Sequence, residues 1–169
     1  MKKLLIAFIV LGSAWACTDS EPDQYTGKIY EYQLYKSSDF DFNGNLTVKE
    51  LVGGNLELTI DLEGVNSDSD VSFPAHLHFG NYQLQDAPIA FVLNPVSAKD
   101  LKSVTVLGQL SDGSKLSFED FKLFDGHVKV HLANDGPDYN IILVAGDIGL
   151  GAEQSVFDPS KMAVCGKDF

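Results

Sequence analysis

Residues 56–63 carry the pattern that most constrains the fold of this chain. Four aliphatic residues alternate there with polar or acidic ones, as in a strand with one buried face: Leu56, Leu58, Ile60 and Leu62. Other short apolar segments bounded by Gly, Asp, Asn or Pro predict further strands over 29–35, 46–51, 75–79, 89–93, 104–110, 115–124, 127–132 and 140–148. No long amphipathic helix is visible, so the sequence predicts an all-β sandwich or barrel.

Three glycine-containing pairs predict turns between these strands. Gly53-Gly54 separates two strand patterns. Asp112-Gly113 and Asp125-Gly126 have the composition of type I′ hairpin turns, because Asp-Gly tolerates positive φ angles. We therefore expect a hairpin at each of the last two pairs.

The N-terminal segment has the pattern of a secretory signal peptide. Lys2 and Lys3 precede an apolar run over 4–11, and small residues lead to Ala16-Cys17. The run is too short to span a bilayer, which needs about 20 apolar residues. Ala16-Cys17 resembles the lipobox of bacterial lipoproteins, which implies that Cys17 is the lipidated first residue of the mature chain. The alternative is an ordinary signal peptide cut after Ala16, with an incidental cysteine.

These features divide the chain into four segments and predict its location. Residues 1–16 form the signal peptide, and 17–24 a lipidated cysteine with an acidic tether. Residues 25–150 form the β-domain, and 151–169 a C-terminal tail or a cap over one end. We expect a lipid-anchored protein of the bacterial cell envelope, in the outer membrane, facing the periplasm or the surface.

Charge and cysteine content exclude several classes of function. Without residues 1–16, the remaining 153 residues carry 10 lysines against 24 acids, a formal charge of −14, and no arginine. Nucleic-acid binding is therefore not expected, since phosphate contacts need clustered Lys and Arg. Membrane attachment would come from lipid on Cys17. Cys165, the other cysteine, would then be a free thiol, an intermolecular disulfide site or a soft metal ligand.

All four histidines lie in two predicted strands, on the face opposite the apolar residues. His76 and His78 alternate with Leu77, and His127 and His131 alternate with valines. We therefore expect them on the outer face, either exposed to solvent or forming a site. Histidines two residues apart in a strand are about 7 Å apart at Cα and can converge on one ion.

At most one histidine of the second strand can complete such a site, because residues 127 and 131 are about 13 Å apart along a strand. His131 is the expected ligand, since it lies inside the strand, while His127 lies at the predicted turn. A two-residue turn at 125–126 would place Asp120 opposite His131, where its carboxylate could orient the imidazole. The same register would pair Lys122 with Lys129, which is unfavourable and allows for a bulge or a longer loop.

The two histidine motifs resemble those of the CHRD domain, the chordin-like module. That family carries His-x-His-x-Gly and later Val-x-Val-His, which here read His76-Leu77-His78-Phe79-Gly80 and Val128-Lys129-Val130-His131. The resemblance covers about residues 25–151, although the usual Arg of the final strand is absent. It implies an antiparallel Greek-key sandwich of about eight strands, similar to copper/zinc superoxide dismutase, with His76, His78 and His131 as metal ligands.

The resemblance does not extend to dismutase activity. Such enzymes need a bridging histidine, further zinc ligands and an Arg that guides the anion. The chain has no Arg at all, and it has no histidine between His78 and His127. Its negative charge would also repel superoxide. No Ser/His/Asp order, cofactor loop or catalytic thiol stands out either, so we do not expect an enzyme.

A second possible metal segment runs from Asp39 to Glu50, where the residues fit the calcium-loop pattern of an EF-hand. Both flanks are predicted strands, whereas an EF-hand needs helices. A polar turn leading into a strand is the simpler interpretation.

Two functions remain open from the sequence. The domain is a binding module that holds one Cu or Zn ion through His76, His78 and His131, or it is a metal-free structural or protein-interaction module. The sequence does not identify the metal, and it does not identify a protein or glycan partner.

Overall fold

The structure, a computed structural model, describes residues 24–152 and 156–164. The signal peptide, the lipidation site Cys17, residues 18–23 of the tether and Cys165 lie outside these ranges. The elements are strands β1 (Tyr25–Lys36), β2 (Asn43–Leu51), β3 (Leu56–Glu63), β4 (Ser72–Phe79), β5 (Ile89–Ser97), β6 (Lys102–Leu107), β7 (Asp125–His131) and β8 (Ile142–Gly149), helix α1 (Phe118–Leu123), and 3₁₀ turns at Pro137–Asn140 and Pro159–Lys161.

The eight strands form one antiparallel, nearly closed sheet in the order β5-β4-β7-β8-β1-β2-β3-β6. Strand β1 pairs with β2 along most of its length, but it meets β8 at only two positions, Tyr35↔Ala145 and Lys36↔Val144. At the other seam, between β5 and β6, Asn94 donates its backbone N–H to Thr105 Oγ1 at 2.9 Å. The predicted all-β sandwich or barrel is therefore confirmed.

Period-two patterns account for the strands and for the position of the core. In β2, Leu46 and Val48 are fully buried, and all the aliphatic residues that alternate along β3 are buried as well. The core continues into the other half of the sheet through Leu77 on β4 and Val128 and Val130 on β7. One apolar face per strand thus encloses a single core.

Two of the three predicted turns, Gly53-Gly54 and Asp112-Gly113, are present, but only the first joins two paired strands. Gly53 and Gly54 join β2 to β3 with φ angles of 103° and 85°, which favour glycine. Asp112-Gly113 also forms a turn, in which Gly113 N–H donates to Leu110 O at 2.9 Å. The second turn leads towards α1 rather than joining two paired strands, so the predicted hairpin is wrong there.

The predicted strand over 115–124 is also wrong, because part of this segment forms helix α1. Ser117 caps the helix with a reciprocal capping box, in which the side chains of Ser117 and Asp120 each accept from the other's backbone N–H. Phe118 and Phe121, three residues apart, are buried on one helix face. The capping box and this spacing outweigh the apolar content that favoured a strand.

Asp125-Gly126 lies inside β7 and makes no hairpin turn. Helix α1 leads directly into β7, so no strand precedes β7 to form a hairpin with it. The partners of β7 are β4 and β8. Gly126 is required there by close packing, because a Cβ at this position would meet the Phe124 ring and His78 O. The register that would have placed Asp120 opposite His131 does not occur.

No helix within residues 24–152 and 156–164 is long and apolar enough to span a membrane.

Truncating a core side chain should destabilise the fold far more than truncating an exposed one. We expect Leu46→Ala, at a side chain with 0% exposure, to lower the free energy of unfolding by about 2–5 kcal/mol. Leu123→Ala, at a residue with 63% exposure, is the control and should change it by less than about 1 kcal/mol. Urea unfolding measures both, and equal effects would contradict the position of the core.

Candidate metal site

Strands β4 and β7 bring all four histidines onto one face of the sheet. They pair antiparallel, with His76 opposite Lys129 and His78 opposite His127. Leu77, Val128 and Val130 point to the core on the opposite face. The predicted placement opposite the core is therefore confirmed, and the neighbouring strands bring the two motifs together.

Of the two alternatives that the sequence left open for these histidines, exposure to solvent does not occur. His78, His127 and His131 have 0% exposure and His76 has 8%. Three segments outside the sheet cover them. Tyr82 comes from the β4–β5 connection, Tyr139 from the 3₁₀ turn before β8, and Ala163 from residues 156–164, which we call the C-terminal strap.

Each covering segment contacts this face directly, and the β4–β5 connection does so through Gly80 O, which accepts from His127 Nδ1 at 2.6 Å. The Tyr139 ring stacks on His131 with 4.6 Å between ring centroids. Ala163 O accepts a hydrogen bond from Lys129 Nζ at 2.7 Å, and Ala163 N–H donates to Tyr82 O at 3.1 Å. The outer face of β4 and β7 is therefore a second buried layer, and it is polar.

Three of the histidines form a compact group. His76, His78 and His131 each offer one ring nitrogen, and these nitrogens lie within 4.8 Å of one another. The ring centroids of His76 and His78 are 5.9 Å apart, and those of His76 and His131 are 5.2 Å apart. These are the three residues that the sequence singles out as metal ligands.

His127 lies beside this group without belonging to it. Its ring stacks on that of His78 at 4.8 Å and 8°, as expected for residues directly opposite each other on paired strands. Its Nδ1 bonds to Gly80 O at 2.6 Å, and among the described residues its buried Nε2 has no hydrogen-bond partner. His131, and not His127, joins His76 and His78.

Backbone carbonyls set the tautomer of two histidines in the group. His78 Nδ1 lies 3.0 Å from Ala87 O, and His131 Nδ1 lies 2.8 Å from Tyr139 O. A carbonyl oxygen can only accept, so Nδ1 of each ring carries the hydrogen, and the neutral ring keeps a lone pair on Nε2. This arrangement, with one ring nitrogen held by a backbone acceptor, is typical of metal-binding histidines.

Burial keeps these imidazoles neutral. Desolvation lowers the pKa of His76 to about 4 and the pKa of His78 to about 3, and it also lowers the pKa of His131. All three rings are therefore deprotonated at neutral pH, and a metal ion would not have to displace protons from them.

Lys129 also lies on this face. It lies between His127 and His131 on β7, has 0% exposure, and acts electrostatically to lower the pKa values of His78, His127 and His131. Asp147 on β8 lies opposite His127 and is half-buried, and desolvation raises its pKa while Lys129 lowers it. An ion in the histidine group would share its surroundings with the Lys129 ammonium.

The predicted orienting role of Asp120 is wrong. Asp120 caps α1 through Ser117 and is exposed. Tyr139 O takes the role expected for that carboxylate, as the hydrogen-bond acceptor for His131 Nδ1. The sequence carried no signal for this, because a backbone carbonyl is present at every residue.

Residues 39–50 are not arranged as an EF-hand. The segment joins β1 to β2, and its second half lies within β2, with Leu46 and Val48 in the core. The flanking helices of an EF-hand are absent here, and Asp41 pairs with Lys36 Nζ at 3.0 Å. A polar turn leading into a strand is confirmed.

Comparison of the chain with protein-family models, with curated proteins and with solved structures finds no match in any of the three.

The buried neutral histidines should make folding of the metal-free protein sensitive to mild acid. Unfolded histidines take up protons below pH 6.5, while His76 and His78 stay neutral down to about pH 4 and about pH 3. The unfolded state then binds more protons, so stability falls as the pH drops below 6.5. Between pH 6.5 and 5 we expect a loss of up to about 2 kcal/mol for each such histidine, measured by urea unfolding.

A His127→Gln variant provides the comparison, because the pKa of His127 is lowered to about 3. It should lose less stability than the parent over the same pH interval. Equal slopes for the two proteins would show that His127 is not held neutral in the fold.

Proposed function

We propose that this chain is an envelope-anchored bacterial lipoprotein whose CHRD-like β-domain holds one Cu or Zn ion through His76, His78 and His131. The observation that carries the proposal is the group of three buried, neutral imidazoles with ring nitrogens within 4.8 Å of one another. Burying three imidazoles together costs free energy because the polar rings give up hydration, and coordination of a metal ion would offset that cost.

The donor set fits the proposed ion. Imidazole suits both Cu and Zn, with bonds of about 2.0–2.1 Å. Nitrogen ligands of a tetrahedral ion at that bond length are about 3.4 Å apart, so the three nitrogens, now within 4.8 Å, need only a modest inward rotation. Strand pairing holds the Cα positions while the rings turn.

The residues around the site have separable roles. His76, His78 and His131 would hold the ion, with Ala87 O and Tyr139 O orienting two of the rings. When bound, the ion would supply Lewis acidity, or redox chemistry in the case of copper. The segments that contain Tyr82, Tyr139 and Ala163 cover the face, whose histidines are at most 8% exposed.

The proposed anchor would keep the domain close to the membrane. Strand β1 begins at Tyr25, and only seven residues, 18–24, separate it from Cys17. A seven-residue segment spans at most about 25 Å when fully extended. An acidic domain would therefore be held near the bilayer by lipid rather than by its charge.

A metal-free structural or interaction module is the second candidate, and Lys129 favours it. Its buried ammonium lies on the same strand face as His131 and raises the electrostatic cost of placing a cation there. In that case the histidines would serve packing and hydrogen bonding. Dismutase activity is not proposed for either candidate.

Metal titration of the purified, tag-free protein distinguishes the two candidates. We expect the parent to bind one equivalent of Cu(II) or Zn(II), measured by calorimetry and by metal analysis after gel filtration. His78→Ala and His131→Ala should weaken binding by more than about a hundredfold, since even groups that only orient a ligand contribute 10–100-fold.

His127→Ala is the matched control, because it removes an equally buried histidine from the same face but not from the group of three. It should retain one equivalent. If the parent binds no ion, or if the His78 and His131 variants bind like the parent, the metal site is refuted and the interaction module stands.

A further inference from the structure

The four histidines have almost no contact with solvent, so any ion or reagent must displace a covering segment to reach them. Tyr82 and Tyr139 are 1% and 2% exposed, and both are held within the domain. Tyr139 lies in the short connection between β7 and β8, and Tyr82 N–H donates to Asp147 Oδ1 at 2.8 Å. These two covers are firmly fixed.

The C-terminal strap is fixed far less firmly. Among residues 156–164 only Ala163 is buried, and Val156 is 93% exposed. The 3₁₀ turn Pro159–Lys161 buries none of its residues. Segments with few buried apolar contacts open at a low free-energy cost.

A few contacts hold the strap over the histidines. Phe157 stacks on Tyr35 with 4.8 Å between ring centroids and packs at a tilt against Tyr82 at 4.6 Å. Asp158 N–H donates to the Tyr82 hydroxyl at 2.8 Å.

At the other end of the strap, Ala163 O accepts from Lys129 Nζ at 2.7 Å, and Lys129 lies directly opposite His76 on the paired strand. Ala163 is thereby held over the middle of the histidine face, and Phe157 anchors the far end of the strap.

We propose that the C-terminal strap is a gate over the histidine face, held closed by Phe157 between Tyr35 and Tyr82. Opening of the strap limits the rate at which ions and small reagents reach the imidazoles. The strap supplies no ligand in the described residues, so it changes the rates of access and release without setting the affinity. The part that concerns ions rests on the proposed metal site, whereas access to the histidine face does not.

Carbethoxylation by diethyl pyrocarbonate tests the gate without any metal. The reagent modifies neutral imidazoles, and all four histidines of the chain lie on this face, so the absorbance rise at the imidazole band reports on this face alone. For the full chain without a tag, we expect Phe157→Ala to react about tenfold faster than the parent, because two aromatic contacts are lost.

Tyr35→Thr removes one of these contacts from the sheet side and leaves the strap intact. It should react about threefold faster. Val156→Ala, at a strap residue almost fully exposed, is the matched control and should react like the parent. Circular dichroism and the urea midpoint show that each variant is folded. Equal modification rates in folded Phe157→Ala, Tyr35→Thr and parent would overturn the gate.

Stopped-flow uptake and release of Zn(II), followed with a chelating dye, extends the test to ions. Phe157→Ala should accelerate both rates by the same factor and leave their ratio unchanged. An accelerated release with unchanged uptake would overturn the gate, because the strap would then stabilise the bound ion. If the parent binds no Zn(II) or Cu(II) while Phe157→Ala still speeds carbethoxylation, the metal site fails and the gate stands.

Discussion

The antiparallel pairing of β4 with β7 is the contact on which the rest of this structure depends. It places His78 opposite His127 and His76 opposite Lys129. With His131, which lies beside His76, five ionisable side chains of β4 and β7 share one face. The same pairing directs Leu77 and Val128 into the core. Because side chains alternate strictly along a strand, the core and the histidine group require the same register. A shift by one residue would place the histidines in the apolar interior.

Burying this polar face requires compensation from elsewhere in the chain. Backbone carbonyls of Ala87, Gly80 and Tyr139 accept from the Nδ1 atoms of three histidines, and Ala163 O accepts from Lys129. All four acceptors come from segments outside the sheet. These connections therefore set the tautomers of the histidines and the orientation of side chains that the strands only position.

Much of the architecture could be predicted from residue patterns. The alternation over 56–63 and the Gly53-Gly54 turn appear in β3 and in its connection to β2. The prediction of a strand over 115–124 is wrong because apolar content alone does not distinguish a short helix from a strand. The Ser117–Asp120 capping box is the local signal that distinguishes the two. Because the helix replaces the strand expected before Asp125, no hairpin forms at 125–126.

The sequence alone determined that β4 and β7 each carry histidines opposite an apolar face, and it singled out His76, His78 and His131, because alternation is a local property of a strand. Only the tertiary structure decided that these rings meet within 4.8 Å, that they are buried, and that His127 stands apart. Those features depend on strand register and on the segments around Tyr82, Tyr139 and Ala163. Such contacts are made by connections outside the strands and leave no periodic pattern in the sequence.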